Sequence, residues 1–402
     1  MKPSSEKAKS ASKVSSRGSL EGHGKSVPKL RFPGFKEEWE NKQLCNECVF
    51  FSGGTPASTD AKLYNGAIPF IRSAEIDNTT TKLFLSAKGI AESSAKEVRT
   101  GDLLLAMYGA NSGDVALSKI NGAINQAILC IRSETINTRY LKFLLERDKK
   151  RITSRYLQGG QGNLSAEIIR NLRLMFPSQR EQESISRFIE MVESRIAAQR
   201  KLVALLKKQK RGLLREIFER NAEGKCKSFY DIVVRRSEKI TPTKDSGLDC
   251  IELEHIEPET GLLLGSVQLR EQDSLKNLCK PNDIVFGKLR PYLRKFLFAK
   301  TECAVSSETW VLTAADGILP KFLFYLIQSE PFMQAANVSS GTKMPRSEWS
   351  NVANAKFHIP NAGRQLAIAN CLSEVDTRIH QTQRVISAME VYKRGLLQAL
   401  FV

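Results

Sequence analysis

The sequence predicts an α+β protein built twice: two globular domains in a pseudo-twofold arrangement, separated by two long helices that pair antiparallel as a coiled coil. The first observation is a heptad seam. Ile185, Ile189, Val192, Ile196, Gln199, Val203, Leu206, Lys210, Leu213 and Ile217 recur in alternating steps of four and three, the spacing of a coiled-coil stripe. At ~1.5 Å per residue the seam runs for roughly 48 Å. So narrow a stripe needs a partner helix. The second observation is that the chain supplies one. Residues 361–402 align without a gap on the first helix at an offset of 183, which sets Gln182 on Gln365, Ile185 on Ile368 and Val192 on Val375. The run Lys210-Arg211-Gly212-Leu213-Leu214 returns as Lys393-Arg394-Gly395-Leu396-Leu397. Amphipathic helices share apolar spacing by chance, but not this pentapeptide at the same phase, so the match is an internal repeat. On the second helix the seam is Ile368, Leu372, Val375, Ile379, Ile386 and Met389. The third observation is that the stretch before each helix repeats in outline.

Composition bounds the rest. The chain has 402 residues, 41% apolar and 26% charged, enough for two or three cores in an ordinary globular composition. No apolar run approaches a membrane span, and the Ser/Lys-rich start has no apolar core of a secretory signal, so a cytoplasmic protein with no membrane association is expected. The eight cysteines are scattered, which fits free thiols. Cys45-x-x-Cys48 has no second pair to complete a zinc site, so no metal and no cofactor is expected. The net charge of +18 suggests a polyanionic partner. Residues 1–31 carry +6 of it and the central helical stretch +5, whereas residues 221–360 carry only +1. Any nucleic-acid site in the globular regions must therefore be a local patch.

In order, the expected organisation is a disordered basic tail (1–28), a first domain (29–177), the central helix (178–220), a second domain (221–360) and the C-terminal helix (361–402). Within the first domain, strands are expected over 68–76, 103–107 and 125–131, with a hairpin turn at Tyr108–Asp114. A helix follows at Tyr140–Leu145. A glycine-rich loop at 158–165 and a strand at 172–176 lead into Pro177. The second domain repeats the order: Leu248–Ile256, Ile284–Phe286, Ala304–Thr313, the helix Phe322–Ile327, the loop 340–347 and a strand into Pro360. A shared frame with divergent loops is what two copies reading different ligands would show.

Candidate binding residues sit in those loops. Lys288, Arg290, Tyr292, Arg294 and Lys295 form the densest basic and aromatic cluster of the globular regions, suited to phosphates and base edges. Thr342, Lys343 and Arg346 follow Gly341, where a backbone could approach DNA closely. Gln161 and Asn163 can bond adenine in two places, with Ser165 beside them. Catalytic signals are poor. The P-loop-like run Gly18–Ser26 has one residue too many between its glycines. The four histidines have no metal or triad spacing, and no amino-methyltransferase tetrapeptide occurs. No catalytic residue is assigned.

Over residues 29–402 the chain resembles the specificity subunit of type I restriction–modification enzymes. The resemblance rests on Leu30-Arg31-Phe32-Pro33-Gly34-Phe35 with Trp39, on Gly101-Asp102-Leu103-Leu104, on Lys288–Lys295 and on the two helices ending in KRGLL. It implies two target recognition domains, each reading half of a split, asymmetric double-stranded DNA target. It also implies helices that fix the gap, two methyltransferase subunits bound to this scaffold, and restriction subunits bound to that core. The chain itself would be non-catalytic. One departure is Arg364, which stands where the first copy has Glu181. The competing readings are a coiled-coil protein-interaction adaptor without DNA specificity and a self-contained DNA methyltransferase.

Overall fold

The computed structural model describes residues 27–156, 163–220, 223–338 and 344–402. The chain divides into two compact units. One comprises the described residues up to Ser194 together with Glu390–Val402; the other is Arg195–Met389.

The first unit contains three sheets. An antiparallel sheet has the strand order Val49–Ser52, Ile128–Arg132, Leu103–Ala106, Val115–Leu117. A mixed sheet has the order Leu83–Leu85, Ile68–Ile71, Gly122–Ile124, Lys96–Val98, its inner two strands parallel. A two-stranded ribbon pairs Glu40–Gln43 with Arg173–Phe176. The expected strand at 68–76 stops at Ile71 and gives way to a 3-10 turn at Ser73–Glu75. The strand expected at 125–131 begins at Ile128 and lies in the antiparallel sheet, whereas Gly122–Ile124 before it belongs to the mixed sheet. Between them Asn125 turns the chain, its side chain accepting a bond from the Ala127 amide at 3.1 Å. The helix expected at Tyr140–Leu145 is part of one that runs from Thr138 to Tyr156.

The second unit repeats the plan. Its antiparallel sheet has the order Val233–Arg236, Thr309–Ala314, Ile284–Gly287, Phe296–Phe298. Its mixed sheet has the order Lys239–Ile240, Lys276–Cys279, Cys303–Val305, Asp249–Ile251, Val267–Gln268, again with one parallel pair at its centre. The ribbon pairs Lys225–Ser228 with Lys356–Ile359. The second unit adds one strand, Lys239–Ile240, to the shared pattern. Its core is aromatic: Phe229, Phe286, Phe322 and Phe332 are fully buried. Each such side chain contributes ~1.5–3 kcal/mol through burial.

The central helix spans Gln179–Arg215 and ends in a π turn, Glu216–Arg220; the C-terminal helix spans Ala362–Leu400. Of the seam residues, Ile185, Ile189, Val192, Ile196 and Leu206 are buried on the first helix, and Ile368, Leu372, Val375 and Ile379 on the second. Val203, Ile386 and Met389 are half-buried. In the second unit Leu206 packs with Val375 and Ile379. Lys210 meets Asp376, and Leu214 joins a core that holds Ile368 and Leu372. As one number rises the other falls, so these segments pair antiparallel. Among the described residues no helix is long and apolar enough to cross a membrane.

Candidate nucleic-acid interface

In the second unit the strand Ile284–Gly287 ends at a glycine for a steric reason: a Cβ there would lie 2.9 Å from the Leu253 side chain and 3.3 Å from the Lys295 carbonyl. The chain then crosses the end of the sheet through Lys288–Lys295. Arg290 and Arg294 flank the 3-10 turn Pro291–Leu293 with φ of 50° and 51°, a left-handed conformation that side chains other than glycine rarely adopt. Neighbouring backbone holds it. Arg290 N–H donates to the Pro345 carbonyl at 2.8 Å, Ser347 N–H to the Lys288 carbonyl at 2.8 Å, and Lys288 N–H to the Glu308 carbonyl at 3.0 Å. Residues held this way cluster at functional sites.

The fold brings together part of the expected cluster. Arg290 and Tyr292 are exposed, Tyr292 by 55%, and Lys288 is half-buried between them and the sheet. Arg346 bridges to Leu289 across the loop and grips Glu308 with two hydrogen bonds of 3.0 and 3.2 Å. That grip holds the Glu308 carboxyl below its usual range and raises Arg346. Arg294 and Lys295 turn the other way. Arg294 donates to the Gln328 carbonyl at 3.3 Å and pairs with Glu330. Lys295 donates to the Leu253 carbonyl at 2.5 Å. Thr342 and Lys343 lie outside the described residues.

The first unit places a different loop on the same frame. After Leu103–Ala106 come Met107–Asp114, with Tyr108 exposed and Ser112 bonding the Met107 carbonyl at 2.8 Å. Leu164 N–H donates to that same carbonyl at 2.8 Å, as Ser347 does to Lys288 in the second unit. Asn163 is exposed. Ser165 caps the helix Ala166–Arg170, its Oγ accepting from the Ile168 amide at 3.2 Å. Gln161 lies outside the described residues. Tyr108 was not among the expected site residues. Its signal was position, since it follows the same Asp-led strand that precedes Lys288 in the second copy.

Each unit also fixes its helix segments through matched contacts. Gln182 accepts from the Asn137 amide and donates to the Pro177 carbonyl. Gln365, 183 residues on, accepts from the Leu319 amide and donates to the Pro360 carbonyl. Phe401 lies 5.0 Å from Tyr140, and Phe218 lies 5.7 Å from Phe322. Lys393 reaches Glu146 and Glu193, each at 2.6 Å; Lys210 reaches Asp376 at 2.6 Å.

Comparisons with known proteins agree with this architecture. Residues 36–208 match the family model described as type I restriction modification DNA specificity domain. The type I restriction enzyme MjaVIII specificity subunit of Methanocaldococcus jannaschii is 22% identical over 416 residues, 94% of each chain. The HindI specificity subunit of Haemophilus influenzae is 27% identical over 135 residues, 32% of this chain and 29% of that one. Among solved structures, the S subunit of a type I restriction–modification system from M. genitalium superposes with a TM-score of 0.58 at 13% identity, covering 94% of this chain and 99% of the other. A chain from a study of complex assembly and conformational transition of the type I R-M system gives 0.55 at 14% identity, covering 90% and 97%. These two likenesses concern the fold. Residues 36–208 thus carry the type I restriction modification DNA specificity domain, and the chain is similar along nearly its whole length to the specificity subunit of a type I restriction enzyme.

Proposed function

We propose that the chain is the non-catalytic DNA-reading subunit of its complex and recognises a split, asymmetric duplex target. The observation that carries this is the repeated frame with unlike loops. Both units hold the loop after the Asp-led strand through the same backbone bond, at Met107 and at Lys288. One presents Tyr108 with small polar residues and the other presents Lys288, Arg290 and Tyr292. A frame kept twice under two different surfaces suits two half-sites of different sequence.

In this reading residues 29–177 and 221–360 are the two readers. Arg290, Tyr292, Lys288 and Arg346 form the contact surface of the second reader, joined by Thr342 and Lys343. Asn163, Ser165 and Gln161 serve the first. Arg294 and Lys295 shape the second loop from behind through Glu330, Gln328 and Leu253. The paired helices set the unread gap. Roughly 48 Å of seam corresponds to about 14 base pairs at ~3.4 Å each. Two methyltransferase subunits dock along the helices, a role supported in the second unit by the exposed Leu202, Leu205 and Val385. Restriction subunits bind the resulting core, in the cytoplasm.

The test is to express the chain with its methyltransferase partner and map methylated bases across a genome. The reading expects one motif of two unlike half-sites with a fixed gap. Methylation without a motif, or at a single uninterrupted site, would overturn it.

A further inference from the structure

We propose that Cys303 and Cys279 form a reactive dithiol, with Cys303 as attacking and Cys279 as resolving thiol, fed by a cationic groove that admits an anionic low-molecular-weight disulfide. The two residues are direct cross-strand partners on the antiparallel strands Lys276–Cys279 and Cys303–Val305. Both side chains point into one apolar cluster with Ile251, Val285 and Leu297. Directly opposed residues of an antiparallel pair have Cα atoms about 4.5–5.5 Å apart, inside the ~4.4–6.8 Å window of a disulfide. Both are free thiols here. The register therefore places the two backbones within disulfide range.

Both thiols are shielded from bulk solvent, Cys279 fully and Cys303 with 3% exposure. Of the two, Cys303 lines a groove of about 630 Å³ in the second unit, walled also by Leu297, Phe324 and Tyr325. Lys300, Lys321 and Arg384 stand at the same groove. All three are exposed, and none makes an ion pair among the described residues. Three unpaired cations beside a thiol draw in a carboxylate-bearing reagent. The Cys279 Sγ donates to the Lys280 carbonyl at 3.9 Å. Facing the groove, Cys303 is the thiol that a reagent meets, and its thiolate is the attacking nucleophile.

The chemistry balances as ordinary exchange. The Cys303 thiolate attacks one sulfur of the small disulfide, forming a mixed disulfide and expelling one thiolate. Cys279 then loses its proton and attacks the Cys303 sulfur, expelling the second. Two protein thiols are oxidised to one disulfide, and one small disulfide is reduced to two thiols that carry the two protons away.

The experiment uses the full chain with oxidised glutathione as the anionic probe and 2-hydroxyethyl disulfide as the uncharged one, read by peptide mapping in a mass spectrometer. The parent should acquire a Cys279–Cys303 link. Cys279→Ser should stop at a glutathione adduct on Cys303, and Cys303→Ser should give neither product. Lys300→Gln, Lys321→Gln and Arg384→Gln combined change only exposed side chains. This variant should slow the glutathione reaction about tenfold and leave the uncharged probe unaffected. Modification of the exposed Cys226 and Cys371 with no Cys279–Cys303 link would overturn the dithiol. Equal slowing of both probes, or of neither, would overturn the role of the cations.

Discussion

The two units anchor their helix segments with the same lysine of the KRGLL repeat, yet the surroundings differ. In the second unit Lys210 and Asp376 have side chains only 5% and 9% exposed. Asp376 also accepts from the Tyr325 hydroxyl at 3.0 Å, and Lys210 lies 5.5 Å from that ring's centre. Burial dominates there and lowers the Lys210 ammonium from its usual value. In the first unit Lys393 meets Glu146 and Glu193, which also bond Lys142, and these glutamates are about one-third exposed. Burial opposes the Lys393 charge, but two carboxylates outweigh it and raise the group. Glu193 and Asp376 stand at the same place in the repeat, as do Lys393 and Lys210. One interaction is thus kept twice, once as a dry single pair and once as a partly wet network. Its cost of disruption should differ accordingly.

Removing one partner is the sharpest break. Asp376→Ala leaves Lys210 buried without a countercharge, which costs ~3–5 kcal/mol. Glu193→Ala leaves Lys393 its Glu146 and access to water, and should cost about 1 kcal/mol or less. Urea unfolding of both variants checks the difference; equal losses would show that burial does not separate the units. Replacing both members of the dry pair, Lys210→Met with Asp376→Leu, removes charge and countercharge together. It should restore most of the loss from Asp376→Ala, since apolar replacements of buried pairs are commonly near neutral.

The loop over the second unit gives the next prediction. Arg290→Ala should cost ~1–3 kcal/mol in binding the specific duplex and relax one position of the target. Arg294→Ala should act through stability, because its partners are Glu330 and the Gln328 carbonyl. Binding to specific and random duplexes, paired with unfolding curves, separates the two. If Arg294→Ala alters base preference without loss of stability, its assignment to the back of the loop is wrong.

The smallest effect is one of pH. His380 stands where the first copy has Ala197, and burial lowers its pKa from the ordinary imidazole value. The folded state thus binds this proton less readily than the unfolded state. The contribution is present above the unfolded value and is lost as pH falls from ~6.5 through the lower folded value. His380→Gln should flatten stability against pH in that window. An unchanged slope would assign the pH dependence to other groups.

Much of this was legible in the sequence because helix pairing writes itself as period. The seam at Ile185, Ile189, Val192 and Ile196 is buried as its spacing requires. The partner of Lys210 was not legible. Antiparallel partners keep a constant sum of residue numbers, whereas a repeat displays a constant difference, so the alignment matched Lys210 with Lys393 and left Asp376 unremarked. The geometry of the loop cluster was not legible either. Five neighbouring residues read as one patch, but the turn at Pro291 sends Arg290 and Tyr292 outward and Arg294 toward Glu330, 36 residues away. Short strands split by turns, as Cys303–Val305 and Thr309–Ala314 are within the single strand expected at 304–313, look continuous when only hydrophobicity is read.

The account rests on two independent readers carried on one frame, and a domain exchange tests this most directly. Residues 221–360 would be replaced by the equivalent region of a similar specificity subunit. The chimera would be expressed with the methyltransferase partner and its methylated sites mapped. The account predicts that one half-site changes while the other half-site and the gap stay as they were. Change in both half-sites, in a chimera shown to assemble, would contradict it.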